Sequence, residues 1–563
     1  MADHHQTNSI SPAAATTPPS TASTVLEDKS EPPKEDEIEY PPLRRVILIM
    51  IGLFASIFLV ALDRTIIGTA IPTITNEFNS LGDVGWYASA YLLTMCGCQL
   101  LIGRIYTFFN VKVVFLANII IFEIGSVICG AAPTSTVFII GRAIAGIGSS
   151  GIFAGAIPIF VYILPLEKRP MWSGIFGMVF GISSVVAPLL GGAFTDNVSW
   201  RWCFYINLPV GAVSMFIVFW VLQLPPPKDD NISWKQKLIS LDPIGTTLFF
   251  PSIVCLLLAL QWGGVTYAWS SGRIIALLVV FGVLFLAFVC VQLWRKETAT
   301  VPPRIFANRN ISAGMLFTFG TGSAMMVMIY FLPIWFQAIK GVSAVKSGIM
   351  NLPMILGLVI ASVAAGVLTQ KIGYYIPWMY VCAILMPIGA GLVSTFTTTT
   401  NHSKWIGYQF LFGFGLGMGL QQPAVAAQAV FSRKDVPTGV ALLFFCQSLG
   451  GAICSSISNN LFANKLAQGL IGVPGVDVGT VANVGATDLR HYVPIQALPA
   501  VLEAYNVALR HAFYVAAGTA SLNILGVLPM QWLNIKKSKN ASGQGKASTK
   551  EKDVEIGKEE VKA

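Results

Sequence analysis

Charge is what this chain has least of. Only 11% of its 563 residues are Asp, Glu, Lys or Arg, against roughly 25% in a soluble domain whose surface must face water. Histidine is scarcer still: five residues, at positions 4, 5, 402, 491 and 511. None falls in the middle of an apolar run, so no imidazole cluster for catalysis or metal binding is legible, and neither metal nor cofactor is expected. A phosphate-cradling G-x-x-x-x-G-K-[ST] loop is missing as well. The nearest fragment, Gly545-Lys546-Ala547, lacks the hydroxyl residue, and no polar loop is long enough for a nucleotide-binding domain. There is no C-x-x-C pair. The nine cysteines fall in or beside apolar runs and read as small packing residues without disulfides. These absences argue against an enzyme and against an ATP-driven pump. The net charge of +9 forms no basic stripe, so no nucleic acid is expected either.

What is present is apolar sequence: 54% hydrophobic residues and 52 glycines, with a mean hydropathy of +0.67. A membrane span needs about 20 mostly apolar residues. Fourteen are predicted, over 46–66, 84–104, 113–132, 137–163, 171–192, 203–223, 241–261, 274–294, 311–333, 346–369, 376–398, 405–425, 437–461 and 512–534. With the N-terminus placed in the cytoplasm, nineteen Lys/Arg residues flank the spans on that side and eight on the other. That bias sets the orientation and puts both termini and the loop 224–240 inside. Of the five N-x-S sequons, those at Asn197 and Asn401 fall outside and are the glycosylation candidates. The outer loop 462–511 is long and has no assignable chemistry. Residues 1–43 read as a disordered cytoplasmic tail without a signal peptide, and 535–563 as a charged cytoplasmic tail.

An internal repeat divides the body. Gly103-Arg104-Ile105-Tyr106 follows the second span and Gly366-Val367-Leu368-Thr369 the tenth. Each is a glycine at a cytoplasmic helix end followed by a short basic turn. Aligning the two makes spans nine to fourteen echo one to six. The expected domains are a six-helix half at 44–223, a linker with two inserted helices at 224–310, and a second six-helix half at 311–534. Parallel six-helix halves are a transporter architecture.

Charges inside the spans are the candidates for chemistry, since each costs about 3 kcal/mol at the centre of a helix on insertion scales. Asp63 and Arg64 stand near the end of the first span, Glu123 in the third and Arg142 in the fourth. Burial and a nearby cation act oppositely on a carboxylate's proton affinity. Asp63 is therefore the candidate proton carrier, with Arg64 or Arg142 as modulator and Glu123 next in line. The bland alternative for Asp63 and Arg64 is a pair that snorkels to the outer interface. Gly146-x-Gly148-x-x-Gly151 formally matches a dinucleotide fingerprint, but no strand precedes it; its glycines read as helix contacts. Pro188, Gly191 and Gly192 in the fifth span shape a bend and a close crossing. Trp335, Phe336, Gln337, Gln421, Gln422 and Gln447 put rings and amides into apolar helices of the second half and are the candidates for a substrate cavity. Interhelical hydrogen bonding is the alternative for them.

The run Asp63–Pro72 resembles the first-helix motif of the drug:proton antiporters with fourteen spans. Arg142-x-x-x-Gly146-x-Gly148 resembles the fourth-helix motif of the major facilitator superfamily, whose Arg is implicated in proton transfer. Pro188-x-x-Gly191-Gly192 resembles the antiporter motif of the fifth helix, and Trp200–Gly211 is similar to a segment typical of fungal members. The resemblance covers about residues 44–534. It implies an all-α integral membrane protein of the major facilitator fold, with two six-helix halves and two extra central helices. The chain departs from the pattern after the second span, where Thr107 replaces an Asp and Asn110-Val111-Lys112 most of a basic run. Ala187 and Ala145 also replace the usual Gly and Gln.

The function implied is proton-coupled efflux of a hydrophobic toxin, drug or secondary metabolite by alternating access. Its partners are that small molecule, protons and the bilayer. A monomer in the plasma membrane is expected, with the vacuolar membrane as the other location. Siderophore–iron or basic amino-acid transport in the same superfamily and a non-transporting receptor are the alternatives. A basic amino acid calls for more buried carboxylates than Asp63 and Glu123.

Overall fold

Long apolar runs interrupted by few charges can satisfy their backbone in lipid only as helices or closed barrels, and this chain is helical. The computed structural model describes residues 40–80, 83–224, 233–264, 266–471, 473–474, 476 and 493–536. The remaining tail residues and most of 472–492 lie outside that description. Among the described residues fourteen helices reach fifteen residues or more. The first six are α1 (Leu43–Phe78), α2 (Val84–Phe108), α3 (Val111–Ala131), α4 (Ser135–Ile163), α5 (Arg169–Asn197) and α6 (Asn207–Val221). Two more follow, α7 (Pro243–Trp262) and α8 (Gly272–Arg295). The last six are α9 (Arg309–Lys340), α10 (Leu352–Ile372), α11 (Ile376–Val393), α12 (His402–Gly419), α13 (Val436–Leu470) and α14 (Leu498–Ser521).

Twelve of the fourteen are long and apolar enough to cross a membrane. The other two are α12 and α14. Helix α12 opens on His402-Ser403-Lys404 and is glycine-rich, while α14 carries Glu503, Arg510 and His511. Both are nonetheless packed into the bundle, α12 along α10 and α11, and α14 along α9, α11 and α13.

The structure corrects the chain's last third. The final helix was expected over 512–534, but it starts at Leu498 and is followed by Asn523–Val527. Its first turns bury Val501, Ala504, Tyr505, Ala508 and Leu509 and leave Glu503 exposed. Such a one-sided stripe scores as polar along the sequence but packs as core. Helix α13 likewise runs on to Leu470, so both ends of the expected loop 462–511 are helical. The expected span 405–425 is broken at Leu420–Gln421, and a second piece, Gln422–Val430, follows. Pro423 causes the break, having no N–H for the carbonyl four residues back.

The two broadest crossings between the first six helices and the last six are α2 on α13 and α5 on α10. The repeat maps α2 onto α10 and α5 onto α13, so each crossing is the counterpart of the other. Both depend on a glycine. A Cβ on Gly103 would lie 2.4 Å from the Cβ of Ala441 and 3.3 Å from the carbonyl of Pro437. A Cβ on Gly366 would lie 2.6 Å from the carbonyl of Pro170 and 3.2 Å from the Cα of Gly174.

Helices α7 and α8 pack on each other, and α7 also rests on α2 and α13. Their ends are tied down by Asp242, whose carboxylate accepts from Gln292 Nε2 at 2.8 Å, Gly245 N at 2.9 Å, and Thr300 N and Oγ1 at 3.0 Å. From that anchor the linker reaches the α2·α13 crossing. Arg104 donates to the carbonyl of Glu297 at 2.7 Å. Arg304 grips both carboxylate oxygens of Asp435 at 2.7 and 2.8 Å and that of Glu297 at 2.7 Å. Thr107 and Thr438 share a 3.1 Å hydrogen bond.

Candidate substrate and ion-coupling site

The buried charges of the first six helices converge. Asp63 and Arg142 are both fully buried, and Arg142 Nη1 donates to Asp63 Oδ2 at 2.6 Å. Arg142 also donates through Nε to the carbonyl of Tyr87 at 2.9 Å, and its guanidinium lies 4.5 Å from the Tyr91 ring centre. Asn207, at the start of α6, reaches the second Asp63 oxygen at 3.5 Å and Ser126 Oγ at 3.0 Å. The Asp63 pair is thus an interior charge pair and does not snorkel to an interface. A cation and carboxylate held this way cannot both stay unpaired in a dry interior.

Among the described residues Arg64 forms no ion pair with Asp63. Adjacent helix positions point about 100° apart, and Arg64 turns toward a chamber between the two halves, where its Nη2 lies 3.2 Å from Met326 Sδ. The space between its walls that a water-sized sphere can enter is about 40 Å³. Its wall is apolar and soft, with Met95, Met325, Phe153, Phe176, Phe180 and Phe444, and its polar groups are Arg64, Gln421, Gln447 and Ser448. Phe176 stacks on Phe444, and Phe153 meets both edge-on.

Of the six cavity residues expected from the sequence, Gln421 and Gln447 line the chamber. The break after α12 places Gln421 there. The other four are elsewhere. Trp335 donates to Asn506 Oδ1 at 2.9 Å, Phe336 packs on Trp405, and Gln337 donates to Ser347 at 3.1 Å. Gln422 accepts from Thr369 at 3.2 Å. For these four, interhelical contact accounts for the side chain.

Glu123 is half-buried, and neither of its carboxylate oxygens has a hydrogen-bond partner. Gly211 makes room for it: a Cβ there would lie 1.8 Å from Glu123 Oε1. The fifth-helix motif works one turn beyond Asp63. Gly191 lets α5 close on α1, since a Cβ would come 3.1 Å from the carbonyl of Ile66, while Pro188 faces Gly348. Asn197 and Asn401 are both exposed. Asn207, Ser126, the methionines and the four phenylalanines escaped the sequence reading. Only Asn207, a lone amide at the start of an apolar run, carried a signal for finding it.

The sequence profile of the Major Facilitator Superfamily matches residues 53–455. The chain is 55% identical over 497 residues to the MFS-type efflux pump MFS1 of Arthroderma benhamiae, spanning 88% of this chain and 93% of that one. It is 49% identical to the efflux pump aflT of Aspergillus parasiticus over 88% of this chain and 97% of the relative. With the rubrofusarin-specific efflux pump aurT of Gibberella zeae it shares 48% over 89% and 92% of the two chains. Among solved structures, the proton:xylose symporter XylE superposes with a TM-score of 0.55 at 14% identity, covering 86% of this chain and 95% of that one. The human organic anion transporter MFSD10 gives 0.54 at 13%, over 84% and 100%. At those identities the likeness is one of fold.

Proposed function

The chain belongs to the major facilitator superfamily, a family of membrane transporters and not of enzymes, and on that premise we propose that it exports a hydrophobic small molecule in exchange for protons. The observation that carries the proposal is the buried Asp63–Arg142 pair, one residue along α1 from Arg64 in the wall of an apolar, aromatic chamber. A proton on Asp63 releases Arg142, and the rearrangement that follows is felt in the chamber through α1. Glu123, half-buried and without a hydrogen-bond partner beside the pair's α6 contacts, is the second proton carrier. The names of the fungal relatives support export as the direction. Among the described residues the chamber offers a cation and no carboxylate, which disfavours a basic amino acid as cargo.

All fourteen long helices span the bilayer in this reading, α12 and α14 included, with two six-helix halves, α7 and α8 between them, and both termini cytoplasmic. The α2·α13 and α5·α10 crossings then close the chamber toward the cytoplasm. The protein works as a monomer in the plasma membrane, and Asn197 and Asn401 face outward as glycan acceptors. Inside-out membrane vesicles test the energy source. Accumulation of a hydrophobic dye should collapse with a protonophore and persist without ATP under an imposed pH gradient. Accumulation that needs ATP hydrolysis and ignores the gradient would refute the coupling. An N-terminal tag readable on intact cells would refute the orientation.

A further inference from the structure

Resting on that export reading, we propose that Arg64 receives an acidic oxygen of the cargo, so that the exported compounds are aromatic molecules bearing a phenolate, enolate or carboxylate. A guanidinium presents five N–H donors. That of Arg64 has one polar contact among the described residues, the thioether of Met326, a weak acceptor. The carboxylate beside it in sequence is already engaged, Asp63 being held by Arg142 and Asn207. No other carboxylate lines the chamber among the described residues. A cation in an apolar cavity is costly to keep unless something that enters the cavity repays it.

A second observation points to the same ligand. Gln421 is 6% exposed and lines the chamber, and its carbonyl Oε1 has no partner. Arg64 can only donate and this oxygen can only accept. Between them they match a molecule with an anionic oxygen and a separate hydroxyl. The stacked Phe176 and Phe444, with Phe153 edge-on to both, offer ring faces to a planar skeleton. Charge-assisted bonds to a desolvated guanidinium are the strong ones, so the acidic group, and not the ring system, sets selectivity.

Anthracene-9-carboxylate and its methyl ester, two fluorescent probes with the same rings, separate the terms when titrated onto the purified full-length protein in detergent. The wild type is expected to bind the acid about tenfold more tightly than the ester. Arg64→Gln should bring the acid down to the ester's affinity while leaving the ester unchanged, and Arg64→Lys should retain part of the difference. Ester binding reports that the protein is folded and that the chamber takes aromatic compounds; its loss from the wild type would count against the export reading. The acid-to-ester ratio reports on Arg64 alone. Equal affinities in the wild type, or a ratio untouched by Arg64→Gln, would overturn this proposal.

Discussion

The two crossings between the halves share one geometry and differ in chemistry. Each sets a glycine near the end of one helix, Gly103 or Gly366, against the proline-led start of another, at Pro437 or Pro170. At α2·α13 the glycine meets a side chain, Ala441, and the contact is ringed by polar groups. At α5·α10 it meets backbone, and the clasp of ion pairs has no counterpart there among the described residues. One seam is bound by contacts that water can replace, the other by close approach alone. A transporter that opens toward one side must break both, and the difference identifies the α2·α13 seam as the one tuned by charge.

The largest expected effect comes from widening the backbone seam. Gly366→Val drives a branched side chain into Pro170 and Gly174, an overpacking cost of about 1–3 kcal/mol. Export in vesicles should fall to less than a tenth, and because the neighbours are backbone, no trimming of a side chain should restore it. Gly103→Ala should also impair export, but there Ala441→Gly removes the carbon it strikes and should recover most of the rate. Rescue at both seams, or at neither, would break the comparison.

The clasp comes next. Arg304 is about half exposed, so its pair with Asp435 is discounted for solvent to about 1 kcal/mol. Asp435→Asn should change the export rate about fivefold at low salt and less at high salt. The exchange of Arg304→Asp with Asp435→Arg should restore much of the rate. Burial by itself would raise the Asp435 carboxyl, but its hydrogen bonds from Arg304 outweigh that and hold it below its ordinary value. A depressed carboxylate contributes fully above its unfolded pKa and is lost only as pH falls through the lowered one. The clasp therefore stays closed between pH 5 and 8. The pH dependence of export should survive in Asp435→Asn, and its disappearance would move proton sensing to the clasp. The smallest effect is expected from Thr107→Val, which removes one part-buried hydrogen bond between neutral hydroxyls, about 0.5 kcal/mol.

Much of this was legible in the sequence. Asp63 and Arg142 stood out because a charge among apolar residues must have a reason. Aligning Gly103 with Gly366 marked the repeat, though not that these two glycines would sit in the crossings. The pairing was not legible: whether Asp63 turns to Arg64 or to Arg142 depends on which faces of α1 and α4 meet, and chain order does not carry that. Thr107 stands where the family pattern has an Asp, yet the structure supplies a charged pair at that seam from Arg304, about two hundred residues along the chain. Helix α14 was misplaced because its charges lie on one face, which a hydropathy window averages away. The phenylalanines of the chamber are four of 35, and nothing local separates them from core.

The central claim is that Asp63 couples export to protons, and it is tested most directly in proteoliposomes holding either wild type or Asp63→Asn. Two fluxes of one hydrophobic substrate are compared: transport driven by an imposed pH gradient, and exchange of substrate for substrate with no gradient. Asn can still accept from Arg142, so the variant should bind and exchange the substrate while gradient-driven flux falls to the level of empty vesicles. Gradient-driven flux at the wild-type rate with unchanged pH dependence would contradict the account and make Glu123 the residue to examine.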